Sequence, residues 1–362
     1  MNIQTDPRND PGASPAGTLF TPIPGLRPTL SIERLQGMLI GIALGDSLGL
    51  AVETLTSQQI AERFGAVTDF LDLDNNKFLE GKDVPAGSCS DDAQLTAAIF
   101  RAYLQAGEFS LAAVAEQHVR ELEKSTLGWG GSTVAGVEAL RAGLLPESPE
   151  FRQRLKAGTG NGIPMKIAAV AAWFSLQGVD QHEMVEQVRQ ISSITHPTSI
   201  SVSAGLAHVA ALLYCLSHTP ESFEAQGFVS AVVTASSLGR TIYPETLTGD
   251  DLTDRLATLV QVSEAGREEI ISSYGGGDCY VYNSLPFSYG FFLRDPAGSG
   301  TLLEVINAGG DTDSNAALVG GLQGALAGPD LFPVRLVSRV RGLADLLDLA
   351  PRFMALRQFQ EG

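Results

Sequence analysis

Apolar side chains recur with a helical period along most of the chain after Leu30. Spacings of three and four residues put apolar side chains on one face of an α-helix, whereas a strand would alternate polar and apolar residues. This pattern predicts helices at residues 31–52, 91–106, 111–124, 164–176, 199–217, 314–327 and 332–347. Strand-like alternation is scarce, so the sequence predicts an all-α fold with a single compact multi-helix domain.

The first predicted helix carries a start signal and a stripe of glycines. Ser31 is a suitable N-cap, and Leu30 and Leu35 occupy the positions of a hydrophobic staple. Glycine then recurs every fourth residue, at Gly37, Gly41, Gly45 and Gly49. Because a glycine inside a helix costs about 1 kcal/mol relative to alanine, the stripe predicts that another helix or loop packs closely against this backbone. A membrane dimer is disfavoured, because Asp46 interrupts the apolar run.

Residues 1–28 differ in composition from the rest of the chain. They are rich in Pro, Gly, Asn and Asp and lack periodic apolar positions, which is typical of a flexible segment. We therefore expect a flexible N-terminal extension at residues 1–28 and one helical domain at residues 29–362. The extension is either an arm that orders on a protein partner or an inert tail, since termini are commonly disordered.

Charge and composition restrict the classes of partner. The chain has 24 basic and 41 acidic residues, a formal net charge of -17, which argues against a nucleic-acid surface because phosphate binding needs clustered Lys and Arg. Three scattered cysteines are too few for a disulfide framework or a thiolate metal site. The N-terminus lacks the apolar core of a secretory signal, and no run of about 18 uninterrupted apolar residues follows, so we expect a cytoplasmic protein without a membrane segment.

Two distant acidic segments share one design. Acids and a hydroxyl stand just before an apolar helical run in Ser90-Asp91-Asp92-Ala93 and in Gly310-Asp311-Thr312-Asp313-Ser314. Helix capping alone would explain either segment, because Ser or Asp satisfies the free amides of a helix N-terminus. Together the segments offer four carboxylates and two serine hydroxyls, which are the oxygen ligands that hard divalent cations take. They predict a shared site for two Mg²⁺ ions, with Mn²⁺ as the alternative metal.

Other residues are weaker candidates. Glu53 ends the first predicted helix, where an acid is slightly unfavourable against the helix dipole. Glycine clusters at residues 128–131, 158–162 and 275–277 are either turns or places where a ligand approaches backbone amides. His196 precedes a proline, and no histidine pair has zinc-binding spacing. Residues 72–83 resemble a calcium loop, but Lys77 replaces the required glycine, which favours a solvated acidic loop.

The order of these motifs resembles that of the ADP-ribosylglycohydrolase family over residues 31–330. GMLIGIALGDSLGLAVE is similar to the opening helix of the family, which ends in a glutamate, and SDDAQL is similar to its Thr-Asp-Asp-Thr metal motif. GNGIPMKIAAVA resembles its Gly-Asn-Gly-x-x-Met-Arg segment, and GGDTDSNAALVGGLQGALAG resembles its closing Asp-x-Asp-Thr motif. The chain departs from these patterns at Ser90, Ala93, Lys166 and Ser314.

The resemblance implies an all-α domain with two Mg²⁺ ions at the base of an ADP-ribose cleft. The metal ligands that it implies are Ser90, Asp91, Asp92, Asp311, Asp313 and Ser314. The catalytic carboxylates that it implies are Glu53, Asp92 and Asp313, and the choice of general base among the carboxylates stays open. The implied substrate-binding residues are Gly128, Gly158, Thr159, Gly160, Asn161, Gly162 and His196.

The implied activity is a metal-dependent hydrolysis that removes ADP-ribose from ADP-ribosylated protein, by cleaving the N-glycosidic bond to arginine. Such a bond breaks through an oxocarbenium-like state, so the site needs an acid for the guanidine and an activated water. A serine link, an acetylated ADP-ribose or a polymer is an alternative substrate. An alternative role is that of an immunity protein, which would neutralise an ADP-ribosyltransferase toxin by binding it through residues 1–28.

Overall fold

The computed structural model describes residues 21–155 and 157–356. The α-helices of these residues are α1 (Ile32–Gly49), α2 (Ser57–Phe64), α3 (Asp91–Ala106), α4 (Leu111–Lys124), α5 (Gly131–Arg141), α6 (Pro149–Arg154), α7 (Ala168–Gln177), α8 (Gln181–Thr195), α9 (Ser199–Ser217), α10 (Ala225–Gly239), α11 (Leu252–Ala257), α12 (Leu259–Ala265), α13 (Arg267–Ser273), α14 (Val281–Arg294), α15 (Thr301–Asn307), α16 (Thr312–Ala327), α17 (Val334–Val337), α18 (Leu343–Leu347) and α19 (Leu349–Met354). Short 3-10 helices lie at Leu50–Val52, Leu73–Asn75, Pro164–Lys166, Pro244–Thr246, Gly275–Gly277 and Pro329–Leu331. The described ranges contain two isolated bridges and no β-strand, which confirms the all-α prediction.

Most predicted helices are present with nearly the predicted bounds, but one prediction is wrong. Residues 332–347 do not form one helix, because the chain leaves α17 and turns at Gly342, where φ is 74°. The amide of Arg341 donates to the Gly87 carbonyl at 2.8 Å instead of a helical partner. Several long helices, among them α5, α8, α10 and α14, were not predicted, and α14 contains Pro286, which disfavours a helix interior.

The glycine stripe of α1 packs against α16, as its spacing predicted. A Cβ built on Gly41 would lie 1.9 Å from the carbonyl oxygen of Gly320, and one built on Gly37 would lie 2.7 Å from that of Gly324. At the other end, a Cβ on Gly49 would lie 2.3 Å from the Thr312 carbonyl oxygen. The two helices are therefore antiparallel with their backbones in contact, so the end of α1 lies beside the start of α16.

Two apolar stretches form the centre of the core. Ile32–Val52 and Ser199–Ser217 are long and apolar enough to cross a membrane by length and composition, and 94% and 100% of their apolar windows are buried within the protein. A helix that is apolar on all sides is also typical of the core of a large globular domain. The other long helices surround these two stretches and α16, and the functional residues lie where α1, α3 and α16 meet.

Of the extension predicted at residues 1–28, residues 1–20 lie outside the described ranges. Residues 21–28 are packed against the helical domain. The amide of Ile23 donates to the Gln181 side chain at 3.3 Å, and the amide of Arg27 donates to the Ser217 hydroxyl at 2.8 Å. Ile23 is also buried in the core. These hydrogen bonds and this apolar contact attach residues 21–28 to the helical domain, and the domain boundary at residue 28 stays a prediction.

Candidate functional site

The two acidic segments meet in the structure. Asp91 and Asp92 begin α3, while Asp313 and Ser314 lie in the first turn of α16. The Ser314 hydroxyl donates to Asp92 Oδ2 at 3.2 Å, and the Ser90 hydroxyl lies 3.4 Å from Asp313 Oδ2. Since the serine of each segment contacts an aspartate of the other, the two motifs form one site although more than 220 residues separate them in sequence.

Capping does not explain either segment. Ser90 is at the N-cap position of α3 and Asp311 at that of α16, yet neither side chain makes a capping hydrogen bond. Instead Asp46 of α1 caps α3, because its carboxylate accepts from the amides of Ser90 at 2.7 Å and Ala93 at 3.0 Å. The acids and hydroxyls of both segments are therefore left to face one another at two helix N-termini, whose dipoles favour negative charge.

Glu53 joins the acidic site from the end of α1. Carboxylate oxygens of Glu53, Asp311 and Asp313 all lie within 4.8 Å of one another, a spacing that could hold a metal ion. Asp92 Oδ1 is buried and has no hydrogen-bond partner among the described residues. Buried carboxylate oxygens need a partner or a cation, so the donor set fits a hard divalent metal.

Burial and the neighbouring carboxylates disfavour negative charge on the acids of this site. Burial, then the charge of Asp311, raises the pKa of Glu53 to about 7. Burial, then the charge of Asp46, raises the pKa of Asp91 to about 8. Burial is also the first cause that raises the pKa of Asp92 and Asp313 well above the ordinary value. A bound cation would remove this repulsion, since it favours the ionised form of each neighbour.

Asn76 positions Glu53, and the sequence analysis did not identify it. Asn76 is fully buried, and its amide donates to Glu53 Oε2 at 2.9 Å and to the Leu50 carbonyl at 2.8 Å. It lies in the segment that was interpreted as a solvated acidic loop. The acids Asp72, Asp74, Glu80 and Asp83 are exposed, as that interpretation expects, but no local pattern distinguishes Asn76 from an ordinary loop residue.

The backbone after Glu53 is strained and tied to the second acidic segment. Thr54 has a φ of 69°, a conformation that costs a β-branched residue of order 1–3 kcal/mol. Its amide donates to the Gly310 carbonyl at 2.7 Å, and the Gly310 amide donates to the Leu55 carbonyl at 2.9 Å. These paired hydrogen bonds fix Glu53 beside Asp311, the residue that follows Gly310.

The loop of residues 158–162 reaches the site through Asn161. The Asn161 amide donates to Asp311 Oδ2 at 2.6 Å, and its oxygen accepts from the Ser284 hydroxyl at 2.5 Å. Asn161 is buried, so its side chain orients Asp311. Thr159 accepts from the Val281 amide through its carbonyl, and Gly160 forms a bridge with Tyr280. The structure therefore places this loop next to the acids, as its motif suggested.

His196 lies against the glycines of the same loop. A Cβ built on Gly158 would lie 2.3 Å from His196 Cδ2, and one built on Gly162 would lie 2.2 Å from Cε1. Only glycine leaves room for the ring at these two positions. Gly128 is similarly close to the first acidic segment, since its Cβ would lie 2.6 Å from Asp91 Oδ1. The predicted glycines thus form close contacts with the site.

A pocket of about 450 Å³ opens beside the acids. Its lining includes Glu53, Asp311, Phe78, Asp278 and Cys279. Phe78 is 53% exposed. The pocket gives a ligand access to the carboxylates from solvent, and it is bounded by an aromatic ring and a further acid.

Fold and site together define an all-helical protein whose acidic centre could bind a metal. The sequence model of the ADP-ribosylglycohydrolase family matches residues 27–362, so the chain belongs to the ADP-ribosylglycohydrolase family. Family membership supports a hydrolase activity that removes ADP-ribose. The resemblance carried by the four sequence motifs is thereby confirmed.

Similar proteins cover most of the chain at low identity. ADP-ribosylhydrolase ARH3 of Mus musculus is 25% identical over 339 residues, which cover 84% of this chain and 86% of that protein. ADP-ribosyl-[dinitrogen reductase] glycohydrolase of Rhodospirillum rubrum is 22% identical over 312 residues, which cover 85% and 90%. A solved structure of an ADP-ribosylglycohydrolase-related protein complex superposes with a TM-score of 0.65 at 20% identity and covers 90% of this chain and 98% of that one, which shows the same fold.

Proposed function

We propose that this chain is a Mg²⁺-dependent hydrolase that releases ADP-ribose from ADP-ribosylated protein by cleaving the N-glycosidic bond to arginine. The observation that carries the proposal is the cluster of Glu53, Asp311 and Asp313, whose carboxylate oxygens lie within 4.8 Å of one another. Glu53 and Asp311 of this cluster line the pocket, so a substrate that enters the pocket meets these two residues.

Two Mg²⁺ ions, or Mn²⁺, would be held by Ser90, Asp91, Asp92, Asp311, Asp313 and Ser314. When bound, the ions would supply positive charge that orients ribose hydroxyls and lowers the pKa of water. Serine keeps the ligating hydroxyl at positions 90 and 314, while Ala93 provides only its amide, which donates to Asp46. We infer that the metal affinity of this chain depends on Asp46 more strongly than the affinity of a variant with a hydroxyl side chain at position 93 would.

Glu53 is our choice of general base. Glu53 lines the pocket, whereas Asp92 and Asp313 do not, and the Oδ2 atom of each of these aspartates is contacted by a serine hydroxyl. Asn76 holds Glu53 Oε2, and we assign Oε1 as the oxygen that accepts a proton from an attacking water. Burial raises the pKa of Glu53 in the metal-free site, and a bound cation would favour the ionised carboxylate, which is the form that accepts a proton. The water loses a proton to Glu53 as its oxygen bonds to ribose C1. The C–N bond breaks with its electron pair going to the guanidine nitrogen, and that nitrogen then takes the proton that Glu53 received.

The arginine linkage is supported by the acidity of the pocket. Asp278 and Glu53 line it together, and a protonated guanidinium leaving group is a cation that acids favour. Phe78 lines the pocket, and its ring already takes a cation, since Lys77 Nζ lies 4.9 Å from the ring centroid. A serine link, an acetyl ester of ADP-ribose or a polymer lacks this positive charge.

Release of free ADP-ribose tests the proposal directly. Arginine-linked, serine-linked and acetyl-linked conjugates are incubated with the full chain in Mg²⁺ and again in a chelator, and free ADP-ribose is measured by mass spectrometry. We expect release from the arginine conjugate in Mg²⁺ alone. Asp313→Asn should abolish release with an unchanged circular dichroism spectrum. Wild-type turnover by this variant would contradict the metal assignment, and release from the serine conjugate alone would contradict the linkage.

Binding and neutralising an ADP-ribosyltransferase toxin is the outcome favoured if no conjugate releases ADP-ribose. Since residues 21–28 pack on the domain, the matching deletion removes residues 2–20 only. Loss of transferase binding by a deletion variant with an unchanged circular dichroism spectrum would support this role for the N-terminal arm, with or without hydrolase activity. Unchanged binding would reject it.

A further inference from the structure

Behind His196 lies a buried chain of hydrogen bonds that starts at Lys166. Lys166 ends the 3-10 helix Pro164–Lys166 and is fully buried. Its Nζ lies 3.1 Å from the hydroxyl oxygen of Thr195, the last residue of α8. The same hydroxyl oxygen lies 2.8 Å from His196 Nδ1. Thr195 is fully buried, so water does not compete for these contacts.

The direction of each hydrogen bond follows from which atoms carry protons. A charged lysine has only donors, so Thr195 Oγ1 accepts from Lys166. The proton of the Thr195 hydroxyl then needs an acceptor, and within residues 21–155 and 157–356 the remaining partner of Oγ1 is His196 Nδ1. If Nδ1 carried the ring proton instead, the hydroxyl proton would be buried without an acceptor, which is costly.

We propose that Lys166 is a positioning residue, which acts through Thr195 to hold His196 in the neutral tautomer that carries its proton on Nε2. The contacts of the ring agree with this role. Gly158 and Gly162 confine it on both sides, and Nε2 lies 2.7 Å from the position that a Cβ of Gly162 would take. None of the described residues pairs with Nε2, so its N–H is available to an oxygen acceptor of a ligand lying along the loop.

At mildly acidic pH, Lys166 and His196 have the charge states that the hydrogen bonds through Thr195 require. Burial, then the charge of Lys166, lowers the pKa of His196 to about 3. Burial lowers the pKa of Lys166 to about 7, and the charge of Asp91 opposes this shift. At pH 6 the lysine is therefore charged and the imidazole neutral, which are the states that the proton positions require. The contact between the Nε2 N–H of His196 and ADP-ribose rests on the proposed function, whereas the assignment of the tautomer does not.

The tautomer is measured by a two-bond proton–nitrogen correlation spectrum of full-length protein labelled on histidine nitrogen, at pH 6. His196 is assigned by the signal lost in His196→Gln. We expect an unprotonated Nδ1 and a protonated Nε2 in the wild type, in Lys166→Arg and in Thr195→Ser, which keep the donor and the hydroxyl. Lys166→Met and Thr195→Val should give a mixture of tautomers. A protonated Nδ1 in the wild type would overturn the proposal, as would an unchanged signal in both Lys166→Met and Thr195→Val.

Binding of free ADP-ribose, measured by titration calorimetry, separates this inference from the proposed function. We expect Lys166→Met and Thr195→Val to bind about tenfold more weakly than Lys166→Arg and Thr195→Ser, which corresponds to about 1.4 kcal/mol. Absence of binding to the wild type would contradict the proposed function and leave the tautomer assignment intact. Equal binding by all four variants would refute the part of the proposal that gives Nε2 a ligand.

Discussion

Replacing Asp91 with asparagine should stabilise the metal-free protein at neutral pH. Asp91 is 5% exposed, and burial with the charge of Asp46 raises its pKa from 3.8 to about 8. The folded chain therefore binds more protons than the unfolded chain between these values, so the penalty that this carboxyl imposes on folding grows as pH rises from 3.8 to about 8. At pH 7 the penalty is about 4 kcal/mol, because each pH unit above the unfolded pKa adds roughly 1.4 kcal/mol.

Asparagine has the shape of aspartate and removes this penalty, but its amide needs hydrogen bonds of its own. A buried amide left without them costs about 1–3 kcal/mol. We therefore expect metal-free Asp91→Asn to exceed the wild type in free energy of unfolding by about 1–3 kcal/mol at pH 7. At pH 5 the penalty of the wild-type carboxyl falls to about 2 kcal/mol, so the two proteins should be nearly equal.

Guanidinium denaturation in a chelator, at pH 7 and at pH 5, measures both differences. The denaturant slopes must agree for the free energies to be compared. Asp254→Asn removes one negative charge from an exposed residue of α11 and is the matched control. Added Mg²⁺ should reverse the order at pH 7, because a metal that binds only the folded state stabilises the wild type, which keeps all its ligands. A metal-free Asp91→Asn less stable than the wild type at pH 7, or an equal gain in Asp254→Asn, would refute the reasoning.

Two further substitutions test the packing of α1 and the support of Glu53. Gly41→Ala should lower the free energy of unfolding, measured by denaturation, by about 3 kcal/mol or more, since its Cβ would lie 1.9 Å from the Gly320 carbonyl oxygen. The control is Gly300→Ala, which should change this free energy little because a Cβ at Gly300 would have no neighbour within 4 Å. Asn76→Ala should lower kcat of ADP-ribose release about 10–100-fold, because Glu53 loses the hydrogen bond that orients it. The control is Asn75→Ala, which should retain kcat because the Asn75 side-chain amide donates to the Asp72 carbonyl and not to Glu53. Equal losses in both variants would contradict the role of Asn76.

The acidic residues of the site were predictable from sequence because they lie in short contiguous motifs. Asp91-Asp92 and Asp311-Thr312-Asp313 each start a helix, and the sequence shows both the acids and the apolar run that follows. The glycines of α1 predicted a close neighbour without identifying it. A signal for that neighbour was present, because Gly320, Gly324 and Gly328 repeat the same four-residue spacing at the other end of the chain.

The residues that sequence reasoning missed act across long distances in the chain. Asn76 lies in a loop and meets Glu53 only because residues 72–76 fold back over the end of α1. Asp46 stands out in sequence only as an interruption of the apolar run, yet it caps α3 at Ser90 and Ala93. The break at Gly342 depends on a hydrogen bond to Gly87. Each of these contacts is set by packing, which local periodicity does not encode.

The packing of α1 on α16 also offsets the free-energy cost of burying the acidic site. Several carboxyls at the helix ends are buried together, and their raised pKa values show that the metal-free site opposes folding at neutral pH. The glycine contacts bring the two backbones together over the whole length of both helices, so they hold Glu53 against Asp311 despite this repulsion. A side chain at Gly45 would separate the helices near the site, because its Cβ would lie 2.2 Å from the Ala316 carbonyl. We infer that the glycine stripe is a requirement of the site geometry as well as of the core.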